Sequence, residues 1–397
     1  MTPTDLTAAP TTRLTSLPTY VFAWLDELKA GARARGAELI DLGIGNPDRP
    51  MPQPVIDVIA NAFNDPRTHG YPPFRGAPRF LESAAGFMQR RFGVTVNPAL
   101  EVLCLSGGKE GIAHLSMAFT DERSISLVPD IYYPVHGRAT MLAGGRTHFM
   151  PLTAKSGFLP DFDAVPAGVL ADAKLLLLNY PHNPTGAVAT HAFYETAVAF
   201  ARRHGLVLVS DLAYSEITFD GFVAPSVLEI PGARDVAVEF HSCSKSFNMA
   251  GSRIGFAVGN AELIDALYGV RTNMGYGTPV AIQEGAAYAF DHATELTANV
   301  AATYQSRRDV LVAGLRSLGW TLDAPRGSMF VWARVPSGYT SQEWSEHLIN
   351  VADVVAAPGN AFGPGGEGFF RLSLVADEAT LDTAIARLRT AGVRYSD

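Results

Sequence analysis

The sequence predicts an α/β fold in which a mostly parallel β-sheet lies between layers of helices. Two observations favour this class: short apolar runs recur along the chain, and helical patterns separate most of them. The predicted strands are residues 102–105, 124–128, 174–179, 206–210, 236–240 and 255–258. Because parallel sheets bind ligands at the carboxyl ends of their strands, we expect a functional site where these runs end.

A second, smaller α+β domain is predicted towards the end of the chain. From about residue 301 a long helical pattern leads to an apolar strand at 328–335 and a final helix near 380–391. The predicted division is residues 1–50 for an N-terminal arm with part of the small domain, 51–290 for the large ligand-binding domain, and 291–397 for the small C-terminal domain. The segment up to about Pro18 is rich in Thr and Pro, which predicts a disordered or arm-like leader.

Composition and charge exclude several classes of protein. With 397 residues and 47% apolar content, the chain is long enough for two substantial cores. A net charge of −8 disfavours binding to nucleic acid, which requires a basic face. Cys104 and Cys243 lack metal-ligand spacing, so we expect no metal site, no disulfide and a reducing compartment. The first residues lack a signal-peptide pattern and the apolar runs are too short to cross a membrane, so we expect a cytoplasmic protein without a membrane partner.

The segment DVAVEFHSCSKSFNMAGSRIGFAVGN carries the most specific local pattern in the chain. Lys245 follows a predicted strand and lies in a polar turn. Its primary amine can condense with an aldehyde, whereas a guanidinium cannot. The hydroxyls of Ser242 and Ser244 and the guanidinium of Arg253 are suited to bind a phosphate dianion. The segment therefore predicts a phosphate site beside a nucleophilic amine, although a Lys-Ser turn taken alone is more often a solvated loop.

Several motifs, in the same order, resemble those of the class I aminotransferases, which are fold type I enzymes that depend on pyridoxal phosphate. SCSKSFNMAGSRIGF is similar to the cofactor-binding lysine motif of that family, and YPPFRGAPRF, SGGKEGIAHL, NYPHNPTGAV and SDLAYSEITFDG are similar to its other motifs. The resemblance implies a seven-stranded-type sheet, pyridoxal 5′-phosphate bound at Ser242, Ser244, Lys245 and Arg253, and transfer of an amino group between an L-amino acid and a 2-oxo acid. Within the family, the chain looks closest to the alanine (glutamate–pyruvate) and LL-diaminopimelate aminotransferases.

The resemblance assigns catalytic roles to Lys245, Asp211 and Tyr214. Lys245 would hold the cofactor covalently and move the proton between the reacting carbons. Asp211 would pair with the pyridine nitrogen of the cofactor and keep that nitrogen protonated. Tyr214 and Asn183 would donate to the 3′ oxygen of the ring, and Tyr133 would stack on its face. Without the resemblance, a helix cap, a turn residue and a core residue are ordinary interpretations of Asp211, Asn183 and Tyr133.

The segment SGGKE at 106–110 follows a predicted strand and precedes a helical pattern. Glycines at such a position allow backbone N–H groups to approach a phosphate, and Gly108 and Lys109 are expected to bind the cofactor. The segment is not a Walker A loop, because Glu110 stands where Ser or Thr would bind magnesium. GIGNP likewise lacks the third glycine of a dinucleotide-binding loop, and Gly45 within it resembles the substrate-contacting glycine of the family.

The remaining matched residues concern the substrate and a neighbouring subunit. Tyr71 resembles the tyrosine that reaches the phosphate of the neighbouring subunit, which implies a homodimer with shared active sites. Arg371, in FFRLSL, matches the arginine that clamps the substrate α-carboxylate through two hydrogen bonds. Tyr20, Gly45 and Asn183 are also expected to contact the substrate. The implied partners are small amino acids and 2-oxo acids.

The choice of substrate depends on the segment YPPFRG at 71–76. In many LL-diaminopimelate aminotransferases the segment resembles Y-P-x-Y-E-G, and its glutamate meets the distal ammonium of the substrate. Arg75 replaces that glutamate here, and Lys109 adds a second cation. We therefore expect Arg75 to bind a distal carboxylate in a glutamate-using alanine-type aminotransferase. The alternatives are an LL-diaminopimelate or aspartate aminotransferase, another fold type I enzyme such as a β-lyase, and a solvent-facing Arg75.

Two other classes of protein are disfavoured. The spacing of Ser242 and Lys245 fits the nucleophile motif of penicillin-binding serine hydrolases, but those enzymes also need a K-T-G strand, and the sequence contains no K-T-G. A ligand-sensing regulator built on an aminotransferase-like domain would bring a basic DNA-binding module, which the acidic leader cannot supply.

Overall fold

A computed structural model describes residues 9–18 and 20–396 of the chain. The chain begins with helices α1 (Thr12–Thr15) and α2 (Val21–Ala34), followed by the short strand β1 (Ile40–Asp41). The leader predicted up to Pro18 thus contains one turn of helix, and its first eight residues lie outside the described part. Helix α2 buries Leu25 and Ala32, and Lys29 on the same face donates to Asp41 at 3.1 Å.

The next elements alternate between helices and strands. They are α3 (Gln53–Phe63), α4 (Pro78–Phe92), β2 (Val102–Leu105), α5 (Gly108–Phe119), β3 (Ile125–Pro129), α6 (Val135–Ala143) and β4 (Arg146–Met150). Helix α4 has Pro78 in its first turn, where the missing N–H costs nothing, and ends at Gly93 with a φ of +69°. Helix α1 packs against α6.

The alternation continues through the middle of the chain. The elements are α7 (Ala167–Leu170), β5 (Ala173–Asn179), α8 (His191–His204), β6 (Val207–Asp211), β7 (Ala237–Ser242), α9 (Cys243–Ser246), β8 (Gly255–Gly259), α10 (Ala261–Met274), α11 (Val280–Asp291) and α12 (Ala293–Thr297). The side chains of Thr190 and Asn260 accept hydrogen bonds from the first turns of α8 and α10, which fixes where these helices begin.

Seven of these strands form one sheet in the order β2-β8-β7-β6-β5-β3-β4. Strand β8 is antiparallel to both of its neighbours, and the other pairs are parallel. The predicted α/β fold is therefore confirmed, and each of the six predicted strands is observed within two residues of its expected ends. Strand β4 was not predicted because it lies at the edge of the sheet, where Arg146 is exposed and the apolar pattern is broken.

The last part of the chain forms a second group of elements. They are α13 (Val300–Ser317), β9 (Phe330–Arg334), α14 (Ser341–Ala352), β10 (Val354–Val355), β11 (Ala357–Pro358), β12 (Phe369–Ser373) and α15 (Glu378–Thr390). Strands β11, β12 and β9 form an antiparallel sheet, in which Arg371 lies opposite Trp332. Strand β1 pairs in parallel with β10, which attaches the N-terminal segment to this group.

Apolar side chains cover both faces of the seven-stranded sheet. Helices α4 and α11 pack on one face, where the ring centroids of Phe256 and Phe290 are 5.2 Å apart. Helices α5 and α10 cover the other face through a cluster that includes Ile112, Phe240 and Leu267. Each such side chain, when fully buried, stabilises the folded state by about 1.5–3 kcal/mol relative to an exposed side chain. The covered sheet is therefore a rigid support for side chains at the ends of its strands.

A separate apolar cluster fills the space between α13, α15 and the antiparallel sheet, around Trp320, Trp344 and Phe370. The division of the chain at residues 50 and 290 stays a prediction. No helix of residues 9–18 and 20–396 is both long enough and apolar enough to cross a membrane.

Candidate functional site

Lys245 lies in the single turn of α9, directly after the carboxyl end of β7. The Ser242 side chain caps this turn by accepting a hydrogen bond from Ser244 N at 3.3 Å. The Lys245 amine donates to Gly45 O at 2.7 Å. Burial, together with the charges of Arg371 and Arg253, lowers the pKa of Lys245 to about 8. The amine is therefore neutral, and nucleophilic, at a much lower pH than an exposed lysine.

Arg253 and the start of α5 lie next to each other, close to this turn. Arg253 adopts a left-handed backbone with φ of +49°, and its Nη1 donates to Ala250 O at 3.0 Å. Gly107, which caps α5, has a φ of +94°, and a Cβ atom there would lie 2.7 Å from Arg253 Nη2. Free N–H groups at a helix start and a guanidinium both bind phosphate, so the two elements together suit a dianion. Lys109, in the same turn of α5, has its pKa lowered by burial and by the nearby Arg138 and Arg253 charges.

Asp211 ends β6, one strand away from Lys245, and is only 7% exposed. His136 Nε2 lies 3.0 Å from Asp211 Oδ2, and because a carboxylate only accepts hydrogen bonds, the ring donates. The Tyr133 ring packs edge-on against His136 at 5.8 Å. This arrangement fixes one oxygen of Asp211, leaves the other available to a ligand, and places an aromatic face nearby. The neighbouring Tyr132 stacks on Phe149 and not on His136.

Asn183 connects Tyr214 with Arg371. Asn183 Nδ2 donates to Tyr214 Oη at 3.5 Å, and Asn183 Oδ1 accepts from Arg371 Nη1 at 3.0 Å. Burial raises the pKa of Tyr214 well above its usual value, although the Arg371 charge opposes this shift. The phenol therefore stays protonated and can donate a hydrogen bond.

Arg371 is a buried cation with incomplete partners. It is 3% exposed, and its Nη2 donates to Gly43 O at 2.6 Å. Its guanidinium lies 4.1 Å from the ring centre of Phe330 and 4.5 Å from that of Phe362. Its Nε has no hydrogen-bond partner among the described residues. Burial lowers its pKa to about 10. A cation in this setting is stabilised by an anionic ligand that accepts from the guanidinium.

Tyr20 lies just before α2 and close to a pair of cations. Its ring centre is 5.1 Å from the Arg138 guanidinium and 6.0 Å from the Lys109 amine, and 5.6 Å from the Phe22 ring. Gly45 packs so closely on Phe330 that a Cβ atom would lie 2.6 Å from its ring. The structure therefore brings Tyr20 and Gly45 to the same cleft as Lys245.

Two predicted site residues, Tyr71 and Arg75, make their contacts elsewhere in the single chain. Tyr71 is 79% exposed and stacks on Tyr276 at 4.1 Å. Arg75 donates to Asp265 at 3.1 Å, and its guanidinium lies 4.7 Å from the ring centre of Tyr268 on α10. No contact described within residues 9–18 and 20–396 connects either residue with Lys245.

Sequence reasoning missed His136, Phe330, Phe362 and Gly107. His136 follows Tyr133 by three residues at the start of α6, and this spacing from a predicted site residue was the only local signal for it. Nothing local distinguishes Phe330 or Phe362 from core phenylalanines, because their contact with Arg371 joins distant parts of the chain. No group of three or more His, Cys, Asp or Glu side chains that could hold a metal ion occurs in the described part of the chain.

Comparison with known proteins identifies the class. The family model for aminotransferase class I and II matches residues 37–388. The chain therefore belongs to the class I and II aminotransferases, which are pyridoxal-phosphate-dependent transaminases.

Its relatives cover nearly its whole length. It is 46% identical over 377 residues to an LL-diaminopimelate aminotransferase of Moorella thermoacetica, with 95% of this chain and 97% of the relative covered. It is 45% identical over 385 residues to one of Gloeobacter violaceus, covering 96% and 98%. The substrate-bound BacF structure of Bacillus subtilis superimposes with a TM-score of 0.94 at 36% identity, covering 98% of this chain and 99% of the other. A probable N-succinyldiaminopimelate aminotransferase of Thermus thermophilus gives 0.88 at 40% identity, covering 94% and 100%.

The residues of the cleft fit pyridoxal phosphate. The amine of Lys245 can condense with its aldehyde, and Gly107 with Arg253, the phosphate cradle, can bind its phosphate. The carboxylate oxygen of Asp211 that His136 does not contact can accept from its pyridine nitrogen. Bound there, the cofactor supplies an electron sink for a carbanion formed at the substrate Cα.

We expect Gly107→Ala to weaken pyridoxal phosphate binding by about tenfold or more. The added Cβ atom meets Arg253, and a left-handed alanine costs of order 1–3 kcal/mol. The control is Gly205→Ala, since Gly205 also has a positive φ of 63° but a Cβ atom there meets nothing within 4 Å. Both variants should lose stability in thermal unfolding, while spectral titration with the cofactor should separate them. Equal affinity in the two variants would contradict the assignment of the cradle.

Proposed function

We propose that Lys245 is the catalytic base and cofactor-binding lysine of this transaminase. Its amine is near enough to Arg371 and Arg253 for both charges to lower its pKa. The resulting pKa of about 8 supports its accepting a proton from the substrate Cα and donating it to the second reacting carbon. Gly45 O, at 2.7 Å, orients the amine. The position of this amine between a phosphate cradle and a buried arginine is the observation that carries the proposal.

The residues around the ring positions have complementary roles. Asp211, held by His136, accepts from the protonated pyridine nitrogen, and a carboxylate in this position keeps the nitrogen charged. Tyr214 and Asn183 donate to the 3′ oxygen, a role supported by the raised pKa of the Tyr214 phenol. Tyr133 would stack on the ring face, a role supported by its edge-on contact with His136, the hydrogen-bond partner of Asp211.

The phosphate and the substrate α-carboxylate are assigned to opposite ends of the cleft. Ser242, Ser244, Arg253, Gly108 and Lys109 bind the phosphate through hydroxyls, backbone N–H groups and positive charge. Each Nη atom of Arg371 has a second N–H, so the guanidinium can bind the α-carboxylate with two hydrogen bonds while it keeps its contacts with Asn183 Oδ1 and Gly43 O. Gly45 and Tyr20 line the substrate position.

We infer that the active enzyme is a homodimer in the cytoplasm. Exposed rings at Tyr71, Phe74 and Tyr276, with Met274 beside them, form an apolar patch that a second copy of the chain would cover. Tyr71 would then reach the phosphate of the partner subunit. Two unpaired, buried cysteines support a reducing compartment.

A complementation experiment tests Lys245 and the shared site together. Lys245→Ala and Tyr71→Ala homodimers should each lose most activity, because every site lacks one required group. Hybrid dimers made by co-expression contain one site with both native residues, so the statistical mixture should recover about a quarter of wild-type activity. Activity no higher than the average of the two parent variants would contradict a shared site. Activity retained by Lys245→Ala alone would contradict the role of the lysine.

The charges near Tyr20 favour substrates with a second anionic group. Lys109 and Arg138 both approach the Tyr20 ring, and Tyr20 also contributes to the electrostatic environment of Arg371. A dicarboxylic amino acid held at Arg371 would direct its distal carboxylate towards these cations. We therefore propose glutamate and 2-oxoglutarate as one amino donor and acceptor pair, with alanine and pyruvate as the other.

A second candidate is an aminotransferase for diaminopimelate or an N-acylated form of it. It is favoured by the names of the relatives, which include LL-diaminopimelate aminotransferases at 45–46% identity. Diaminopimelate also carries a distal carboxylate, but its distal ammonium requires an acidic partner. Arg75, which pairs with Asp265, does not supply one. An N-succinyl group removes that ammonium charge and would remove this conflict.

We expect kcat/KM to be higher for glutamate than for LL-diaminopimelate. Lys109→Met should lower it for alanine and glutamate alike through the lost phosphate contact, and by a further factor of about 10- to 100-fold for glutamate, which also loses its distal cation. Alanine lacks a distal group and so reports damage to the cofactor site. Lys155→Met, which changes a lysine on an exposed turn, serves as the control. Steady-state assays with glutamate, aspartate, alanine, LL-diaminopimelate and its N-succinyl derivative give the comparison. LL-diaminopimelate as the best wild-type donor would favour the second candidate, and equal losses for glutamate and alanine would contradict the distal cation site.

A further inference from the structure

The loop that follows β1, residues 43–49, contributes two backbone carbonyls to the cleft. Gly43 O accepts from Arg371 Nη2 at 2.6 Å, and Gly45 O accepts from Lys245 Nζ at 2.7 Å. At the start of the loop, Ser373 Oγ donates to Leu42 O at 2.8 Å. The position of this loop therefore influences how the amine and the guanidinium are oriented relative to each other.

The far end of the loop is attached to α13 by a bidentate ion pair. Arg307 Nη1 and Nη2 donate to the two carboxylate oxygens of Asp48, each at 2.7 Å. Arg307 Nη1 also donates to Leu374 O at 3.0 Å, just beyond the strand that carries Arg371. Arg307 is 4% exposed, whereas Asp48 reaches the surface, so a buried guanidinium holds the exposed end of the loop. One guanidinium thus joins the Gly43–Gly45 loop to the end of β12.

We propose that Arg307 and Asp48 are positioning residues for transamination, which hold the carbonyls of Gly43 and Gly45 in register with Arg371 and Lys245. The proposal rests on the roles proposed above for Lys245 and Arg371. Neither Arg307 nor Asp48 contacts those two side chains directly, so they act through the loop and through Leu374. A displacement of about 1 Å at a reacting group costs about 100-fold in rate, so a small shift of the loop is sufficient for a large effect.

The next residue on the same helix offers a matched comparison. Arg308 Nη1 and Nη2 donate to the two oxygens of Asp220 at 2.5 and 3.0 Å, and Arg308 is 3% exposed. This pair joins α13 to the turn near residue 220 and makes no described contact with residues 43–49. Asp48→Asn and Asp220→Asn therefore each remove one carboxylate partner from a buried arginine of α13, and only the first is attached to the loop. Arg308 also donates to Asp309 at 2.8 Å, so Asp220→Asn leaves its guanidinium with one acidic partner.

The experiment compares these two variants in the holoenzyme, with the amino donor that the wild type uses best. Asp48→Asn should raise KM for the donor and lower kcat/KM by about 10- to 100-fold. Its loss of thermal stability should be at least as large as that of Asp220→Asn, since Arg308 keeps Asp309 as a partner. Asp220→Asn should leave KM unchanged, and Asp48→Glu should recover part of the loss because it restores the charge. In the cofactor-free protein, trace acylation of Lys245 relative to Lys174 should be faster in Asp48→Asn only, since the Gly45 carbonyl no longer holds the amine.

Equal changes of KM and of the acylation rate in Asp48→Asn and Asp220→Asn would show that the Arg307–Asp48 pair only stabilises the fold, and would overturn the proposal. Wild-type values of both quantities in Asp48→Asn would overturn it as well. The acylation measurement requires no turnover, so it distinguishes failure of this proposal from failure of the proposed function. If Lys245 is displaced by the Asp48 change but Lys245→Ala keeps its activity, the catalytic assignment fails and the positioning contact stands.

Discussion

Two cations, Lys245 and Arg371, lie in the same cleft, and the rest of the site depends on the electrostatic consequence of burying both. Burial lowers the pKa of Lys245 to about 8 and that of Arg371 to about 10, and the charge of Arg371 contributes to the shift of Lys245. Each donates to a carbonyl of the same loop, which carries no full negative charge. Anionic ligands therefore bind favourably here, and both a phosphate-bearing cofactor and an amino-acid carboxylate meet this requirement.

The two sheets supply opposite ends of this cleft. Strands β6 and β7 end at Asp211 and Ser242, and the helix after β2 presents its N-terminus to the same edge of the seven-stranded sheet. Arg371 comes instead from the antiparallel sheet and meets Asn183 across the cleft at 3.0 Å. The seven-stranded sheet thus provides groups suited to the cofactor, while the smaller sheet provides the cation suited to the substrate. The aromatic rings of Phe330 and Phe362 limit the movement of that cation and exclude water from it.

Local sequence patterns were sufficient for six of the seven strands of the large sheet, because each is a short, continuous apolar run. They also predicted that Lys245 lies in a polar turn directly after a strand, whereas its catalytic role was predicted from the family resemblance and stays a proposal. Strand β4 was missed because an edge strand with Arg146 exposed lacks a continuous apolar run. The hydrogen bond of His136 to Asp211 and the ion pair of Arg307 with Asp48 join residues 75 and 259 positions apart, so no local pattern reports them. Tyr71 and Arg75 were predicted from motif matches. Within the single chain, Tyr71 contacts Tyr276, and Arg75 contacts Asp265 and Tyr268. Their predicted roles concern a second subunit and a ligand, respectively.

The pKa of Lys245 in the cofactor-free protein shows whether burial and the charge of Arg371 act on this amine. It can be measured from the pH dependence of trace acylation, with the modified lysine quantified by mass spectrometry, in the wild type and in Arg371→Gln. We predict half-maximal reactivity near pH 8 in the wild type and a higher pKa of Lys245 in the variant, because removing a nearby positive charge favours the protonated amine. A wild-type value near the ordinary 10.5, or the same value in both proteins, would show that the two cations are not electrostatically coupled in a buried site.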